Sequence, residues 1–184
     1  MLKEIRIHGR GGQGVVTAAE LLAVAAFEDG KYAQAFPTFT SERMGAPVQS
    51  FVRIADHKVR ARNQVYEPDY LIIQDYTLIG AVDLLKGLKD DGLVLVDTEK
   101  TPEELGLKSK AKILTIPATR IALEKLGRPI QNTTLMGAFA GATGLISLEA
   151  IKRSVMERFP GEIGKKNVAA VEEAYQLMKG AKNA

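Results

Sequence analysis

Short, continuous apolar runs alternate along this chain with longer stretches in which apolar residues recur at helical spacing. Apolar runs bounded by polar residues are typical of buried strands in a parallel sheet, and strands that alternate with helices indicate βαβ units. We predict strands at residues 5–8, 32–36, 70–74, 93–97 and 112–116, with helices after the first, third and last of them. The pattern therefore predicts an α/β fold that is three-layered and Rossmann-like around a mainly parallel central sheet, with residues 5–8 among its inner strands.

A second pattern, strict alternation of apolar and polar residues, covers residues 48–54 and 58–62. Two such runs joined by a short polar connection predict a β-hairpin in addition to the parallel sheet. Lys58, Arg60 and Arg62 fall on one face of the second run. A row of cations on a strand more often protects a sheet edge from aggregation than binds a ligand, so we leave it outside the predicted site.

The last third of the chain predicts three further helices, at residues 132–144, 148–159 and 165–179. The first of them is rich in small residues, and Gly137 and Gly141 stand four positions apart on one face. Glycine destabilises a helix interior by about 0.8–1 kcal/mol relative to alanine. Two glycines on one face therefore indicate close contact with another element or another chain.

The first predicted strand leads into Gly9-Arg10-Gly11-Gly12-Gln13-Gly14 before a long apolar helix. Glycine accepts positive φ and leaves the backbone open to close approach, and the N–H groups at a helix start hold phosphate or carboxylate. Arg10 adds a fixed charge, and Gln13 can donate a hydrogen bond. The turn is a candidate anion site, although a tight packing turn without any ligand gives the same fold.

The spacing of Gly9, Gly11 and Gly14 also matches the G-x-G-x-x-G pattern of dinucleotide-binding proteins. That pattern requires an acidic residue about 20 positions further on, which binds the adenosine ribose. The next predicted strand instead carries Gln34 and ends at Pro37, without an acid. The sequence therefore argues against an NAD-dependent dehydrogenase while it leaves the phosphate site possible.

Residues 37–47 contain two prolines, a glycine and several hydroxyl groups, and predict an ordered loop. Long loops in compact domains are frequently functional, but a plain surface connection remains an alternative. Asp75 and Asp97 follow predicted strands, where capping of the next segment is their expected role. Asn132 precedes the glycine-containing helix and is a predicted N-cap as well as a possible ligand contact.

The composition limits the chemistry of the chain. Its 184 residues, 46% of them hydrophobic, suffice for one core, so we predict a single domain over residues 1–184. With no cysteine and two histidines, it offers no thiolate nucleophile and no ligands for an iron–sulfur cluster, and a metal site is not expected. A net charge of +3 does not indicate nucleic-acid binding. Without a membrane-length apolar run or a signal-peptide pattern, we expect a cytoplasmic protein.

Three separate stretches together resemble one family, the gamma subunit of pyruvate and related 2-oxoacid:ferredoxin oxidoreductases. They are Gly9-Arg10-Gly11-Gly12-Gln13-Gly14, Ser41-Glu42-Arg43-Met44-Gly45-Ala46-Pro47-Val48, and Lys165-Lys166-Asn167. The resemblance extends over essentially the whole chain, and the combination is far more specific than any one motif. The second stretch resembles the pyruvate or 2-oxoisovalerate branch, because the 2-oxoglutarate branch tends to carry a Gly-Pro-Glu version.

The resemblance implies one subunit of an enzyme that decarboxylates a 2-oxoacid on thiamine diphosphate with Mg, passes electrons through [4Fe–4S] clusters to ferredoxin, and transfers the acyl group to coenzyme A. The cofactors would belong to alpha-, beta- and delta-type partner subunits. This chain would supply scaffold and part of the coenzyme A site, without a catalytic residue of its own. Together with Asn132, whose position alone suggests a ligand contact, the predicted binding residues are Gly11, Gly12, Gln13, Gly14, Ser41 and Arg43.

Two other kinds of protein remain alternatives on the sequence. One is a stand-alone nucleotide or acyl-CoA binding module, which the glycine turn alone permits. The other is a purely structural interface subunit in which the turn packs against a partner. Co-purification of the native chains separates these alternatives, since only a subunit is expected to appear with partners.

Overall fold

A computed structural model describes residues 1–38 and 43–184 and contains one six-stranded sheet in the order β2-β3-β1-β4-β5-β6. The strands are β1 (Leu2–Arg10), β2 (Tyr32–Pro37), β3 (Pro47–Ala55), β4 (Tyr70–Ile73), β5 (Leu93–Asp97) and β6 (Lys112–Ile116). β1, β4, β5 and β6 are parallel, whereas β3 is antiparallel to both β1 and β2. The predicted mainly parallel sheet with β1 in its interior is confirmed.

Five α-helices of the described chain pack on one face of this sheet. They are α1 (Val15–Glu28), α2 (Ala118–Leu126), α3 (Asn132–Thr143), α4 (Leu148–Arg158) and α5 (Glu162–Met178). α3 is buried almost all round, and a Cβ on Gly137 or Gly141 would lie 2.3 or 2.4 Å from a backbone oxygen of α5. The predicted close contact of these glycines is therefore with another helix of the same chain.

Short turns, rather than α-helices, cover the other face of the sheet. Leu78, Leu84 and Leu105 pack there against the buried side chains of β4 and β5. The helix predicted after β4 is wrong, because the segment forms only a 3-10 turn at Tyr76–Leu78 before Gly80 takes φ +87°. Apolar residues at helical spacing also suit a chain that folds back on a sheet, and this ambiguity explains the error.

The predicted pairing of residues 48–54 with 58–62 is also wrong. β3 already has β1 on one side and β2 on the other, so no edge of β3 is left for residues 58–62. These residues form no strand; the buried Arg53 side chain holds the segment that follows them, with Nη2 donating to the Asn63 oxygen at 2.7 Å. The antiparallel hairpin in the structure is β2–β3.

Two buried basic side chains of β1, Arg6 and His8, lie on this second face of the sheet, and Arg6 binds the turns that cover it. The Arg6 guanidinium donates from Nε to His8 Nε2 at 2.9 Å and from Nη2 to the carbonyl oxygens of Leu84 and Lys86. Burial, together with the neighbouring Arg6 charge, lowers the pKa of His8 to about 3. His8 is therefore neutral and accepts the Arg6 hydrogen bond near neutral pH.

None of the described helices is both long enough and apolar enough to cross a lipid bilayer.

The His8 environment predicts an acid-dependent loss of stability. The pKa of His8 is about 3 in the folded chain and near 6.5 when unfolded, so protons bind preferentially to the unfolded state between these values. The contribution of His8 to the free energy of unfolding is fully present above about pH 6.5. It falls by about 1.4 kcal/mol per pH unit below that value. At pH 4.5 the wild type should lose about 2–3 kcal/mol that His8→Gln does not lose, as measured by urea unfolding. Parallel pH profiles for the two proteins would contradict this assignment.

Candidate functional site

The glycine turn lies where predicted, at the edge of the sheet formed by the carboxyl ends of β1, β4, β5 and β6. α1 begins at Val15 after Gly14, which takes φ +71° and provides no side-chain cap. Among the described residues, the N–H groups of Gly14, Val15 and Val16 have no acceptor, and the first turn of α1 has no acid. These donors and the positive end of the helix dipole suit an anion.

The loop before β3 packs directly on this turn through backbone hydrogen bonds. Gly11 N donates to the Ala46 oxygen at 2.8 Å, and Gly45 N donates to the Gly11 oxygen at 3.0 Å. A Cβ on Gly11 would lie 2.1 Å from the Arg43 oxygen, so this approach requires glycine. The exposed Arg43 side chain therefore starts from a backbone fixed to the turn.

Side chains of the turn itself and of Asp75, which follows β4, complete the turn's internal bonding. Gln13 Nε2 donates to Asp75 at 2.8 Å, while Gln13 Oε1 accepts from Arg10 N at 2.8 Å. Arg10 lies 3.3 Å from the same Asp75 carboxylate. Burial alone would raise the pKa of Asp75, but hydrogen bonds from Thr77 and Gln13 and the Arg10 charge lower it. The Gln13 amide and the Asp75 carboxylate thus hold the turn in shape.

The start of α3 meets the turn at Gly14. Asn132 Nδ2 donates to the Gly14 oxygen at 3.3 Å, and Asn132 Oδ1 accepts from Thr133 N at 2.9 Å. The predicted N-cap position is one residue off, because Asn132 begins α3 and Gln131 is the N-cap residue. Asn132 positions the turn through its amide.

The structure brings together most of the predicted binding residues. Gly11, Gly12, Gln13 and Gly14 form the turn, with Arg43 and Asn132 on two sides of it. Ser41 lies outside the described residues.

A cavity of about 710 Å³ opens beside the turn, bordered by Gly12 and Gln13, the ends of β4 and β5, the start of α2 and residues 129–131. Sequence reasoning did not identify this cavity, although the carboxyl ends of parallel strands are where ligands bind in such sheets. Asp97 at its wall accepts a hydrogen bond from Thr119 N at 3.0 Å, so it bonds the start of α2 rather than the segment directly after β5 that it was predicted to cap. Burial raises the pKa of Asp97, and the nearby Asp75 charge adds to this effect.

The charge around the cavity is divided. Asp75, Asp97 and Glu99 line the part of the cavity at the carboxyl ends of β4 and β5. Glu99 pairs there with Arg120 at 2.8 Å. The unpaired helix donors and the Arg43 loop do not line the cavity but adjoin the turn residues Gly12 and Gln13, which do. Within residues 1–38 and 43–184, no three His, Asp or Glu side chains come together as metal ligands. The arrangement suits binding of a ligand with one anionic end and one neutral polar end.

Comparisons with known proteins agree over nearly the full chain. The family model of pyruvate ferredoxin/flavodoxin oxidoreductase matches residues 4–177. The pyruvate synthase subunit PorC of Methanosarcina barkeri is 56% identical over 97% of this chain and 98% of its own length. The common gamma subunit of the pyruvate/ketoisovalerate oxidoreductases of Pyrococcus furiosus is 54% identical over 94% of this chain and 95% of its own.

Solved structures show the same fold. The pyruvate oxidoreductase subunit PORC of Thermotoga maritima has a TM-score of 0.84 and 40% identity, covering 95% of this chain and 96% of that one. The 2-oxoglutarate:ferredoxin oxidoreductase of Magnetococcus marinus, with 2-oxoglutarate, coenzyme A and succinyl-CoA bound, has a TM-score of 0.77 and 20% identity. The match covers 96% of this chain and 31% of that longer one. The similarity concerns the fold alone.

Gly11→Ala tests whether turn and loop form one unit. The added methyl group would displace the Arg43 backbone, so we expect a stability loss of about 1–3 kcal/mol and faster amide exchange at Gly45 and residue 11. Gly106→Ala is the control, since Gly106 has φ +67° with nothing within 4 Å of an added Cβ. The control should lose stability through backbone strain without faster amide exchange at the loop. Equal amide exchange at the loop in both variants would show that the turn and the loop do not form one unit.

Proposed function

The chain belongs to the pyruvate ferredoxin/flavodoxin oxidoreductase family, and from this we propose that it works as the gamma subunit that receives coenzyme A. It is one subunit of a multisubunit 2-oxoacid:ferredoxin oxidoreductase. The names of its relatives favour pyruvate, or pyruvate and a branched-chain 2-oxoacid, as substrate. Alpha-, beta- and delta-type subunits and ferredoxin are the proposed partners.

The observation that carries the coenzyme A proposal is the open start of α1 beside the Arg43 loop. Coenzyme A is strongly anionic, and the N–H groups of Gly14, Val15 and Val16 lack acceptors within the described chain. A protein with the same fold, the 2-oxoglutarate:ferredoxin oxidoreductase of Magnetococcus marinus, has coenzyme A bound. Because the amides of Gln13 and Asn132 are engaged within the turn, the phosphates would be held by backbone N–H groups and by Arg43.

Electrostatics decides the orientation of this ligand. Asp75 and Glu99 are paired with Arg10 and Arg120, whereas Asp97 has no cationic partner among the described residues and would repel phosphates, so the phosphates would lie on the glycine side of the cavity. The neutral sugar and base can donate hydrogen bonds to carboxylates, and a cavity of about 710 Å³ falls in the size range of small-molecule sites. Carboxylate acceptors at the ends of β4 and β5 and N–H donors at the glycine turn would therefore select one orientation of coenzyme A.

The chemical steps of the reaction require groups from other subunits. Because this chain contains no cysteine, it has no thiolates for a [4Fe–4S] cluster, and the clusters and thiamine diphosphate with Mg are assigned to the partners. Coenzyme A supplies the thiol that accepts the acyl group. This chain would bind and orient it, which lowers the entropic part of the barrier.

A purely structural role is the second candidate, and exposed apolar side chains favour it. Met44 is 86% exposed beside Gly12, and Tyr76, Leu123 and Ile130 are exposed around the cavity. An apolar rim of this kind is typical of a surface that another chain covers. Both roles are compatible if a partner subunit closes the cavity, so kinetic measurements must separate them.

Arg43→Ala in the assembled enzyme should raise the KM for coenzyme A about ten- to a hundredfold. The reason is the loss of a charge-assisted hydrogen bond of about 1.5–3 kcal/mol to a phosphate. Decarboxylation measured without coenzyme A should remain near the wild-type rate. Steady-state kinetics at varied coenzyme A concentration measures the first effect, and release of CO₂ measures the second.

Two further variants make this test specific. Lys108→Ala removes an exposed charge away from the cavity and should leave the KM unchanged. Gly12→Val places a side chain where Met44 and the ligand approach, and it should act like Arg43→Ala. If both site variants assemble and keep the wild-type dependence on coenzyme A, the turn and loop serve subunit packing only.

The isolated chain should show no oxidoreductase activity. It lacks thiolates for a cluster, so electrons from a 2-oxoacid have no path to an acceptor. Reduction of a viologen dye in the presence of pyruvate should stay at the blank rate with this chain alone and appear when the remaining subunits are added. Turnover by the chain alone would be inconsistent with its role as a subunit.

A further inference from the structure

A strip of three exposed cations lies beside the outermost strand of the sheet. Lys58, Arg60 and Arg62 alternate with small or apolar residues, and none of the three has an acidic partner among the described residues. They border a cavity of about 670 Å³ together with residues of β2, and none of its lining residues belongs to the glycine turn or its cavity. We call these three residues the cation strip. Its positive charge is not neutralised within the described chain.

Hydrogen bonds from β2 and β3 hold the cation strip and the residues after it in place. Arg53 is 1% exposed; its Nη2 donates to the oxygens of Asn63 and Gln64 at 2.7 and 3.2 Å, and its Nε lies 2.7 Å from Glu4. Gln34 Nε2 on β2 donates to the Ala61 oxygen at 2.9 Å. The segment is thus attached to β2 and β3 from beneath. A partner that meets a surface already ordered in this way loses less entropy on binding.

The neighbouring strand β2 has an open edge. Among the described strands it pairs with β3 alone, and Thr38 N donates to the Gln49 oxygen. Because hydrogen bonding alternates along an antiparallel pair, Gln34 and Phe36 also face β3, while Ala33, Ala35 and Pro37 face outward. Pro37, which has no N–H, occupies an outward position where no ladder donor is lost. The free edge therefore offers two N–H groups and three carbonyl groups.

We propose that the edge of β2 and the cation strip together dock an extended acidic segment of another subunit. The backbone of that segment would add a strand beside β2, and its carboxylates would meet Lys58, Arg60 and Arg62. The inference rests on the proposed function only in taking the partner from the same enzyme. An open strand edge attracts any extended chain, whereas a row of cations beside it selects an acidic one.

The same charges would oppose pairing of two copies through this edge. Pairing of β2 with β2 would bring two cation strips together, and like charges at an interface oppose association. The predicted edge protection and the proposed docking are thus two effects of one charge pattern: repulsion of a second copy and attraction of an acidic partner. A small polyanion is a weaker candidate because the three cations are exposed and none is buried around a closed pocket.

The test measures binding of the labelled full-length chain to the remaining subunits of the enzyme at low and high salt. The triple variant Lys58→Glu, Arg60→Glu, Arg62→Glu should raise the Kd at least about a hundredfold at low salt, with a smaller effect at high salt. The matched control Lys108→Glu, Lys166→Glu, Lys179→Glu makes the same charge change at exposed cations outside the strip. It should alter the Kd less than about threefold.

A backbone variant tests the strand edge independently of charge. Ala35→Pro removes an outward N–H that the β3 ladder does not use, so it should weaken binding about tenfold while the Tm stays near the wild-type value. Gln34→Pro removes a ladder donor and should lower the Tm instead. A normal Kd for Ala35→Pro, or a large fall in its Tm, would contradict the assignment of the open edge.

Carbodiimide coupling identifies the partner segment. The Lys58 amine should form an amide bond with a carboxylate of an acidic stretch in another subunit, and peptide mapping should locate it. The proposal fails if the triple variant assembles with wild-type affinity, or if inorganic pyrophosphate binds the wild-type chain but not the triple variant while assembly is unchanged. Arg43→Ala should assemble normally, so a failure of coenzyme A binding is distinguishable from a failure of docking.

Discussion

At the end of β1 the backbone runs so close to other segments that side chains have no room. A Cβ on Gly11 would strike the Arg43 oxygen, and one on Gly14 would lie 2.4 Å from the Asn132 amide. The turn therefore joins three parts of the chain that are distant in sequence: the start of α1, the loop before β3 and the start of α3. Once this contact forms, the N–H groups of α1 and the Arg43 backbone are fixed relative to each other. The candidate site depends on this steric constraint.

Around the turn, the polar side chains maintain its shape, and backbone N–H groups remain available to a ligand. Asp75, Gln13 and Arg10 bond to one another, and Asp97 caps α2 through Thr119. The acid that a dinucleotide site requires is absent from β2, while Asp75 follows β4, the strand next to β1. Asp75 is bonded to Gln13 and Arg10 of the turn and therefore has a structural role. What stays available among the described residues is the set of N–H groups at the start of α1.

The sequence predicted the elements that depend on local pattern. The parallel strands, the glycine turn at their carboxyl ends and the contact of Gly137 and Gly141 are confirmed, because burial and the absence of Cβ leave direct marks in the sequence. The segment after β4 was misassigned, since apolar residues at helical spacing also suit turns lying on a sheet. The pairing of residues 58–62 and the cavity could not be predicted, because both depend on which strands become neighbours.

β2 connects the two proposed surfaces covalently. It runs in the same direction as β1, so its carboxyl end lies at the edge that carries the glycine turn. The chain continues from there through residues 38–46 to β3, and residues 43–46 are the part bonded to Gly11. A partner bound along the outer edge of β2 would therefore contact the strand next to β3, and the residues before β3 are bonded to the glycine turn. Assembly and coenzyme A binding are thus expected to be coupled through β2, β3 and the hydrogen bonds between residues 45–46 and Gly11.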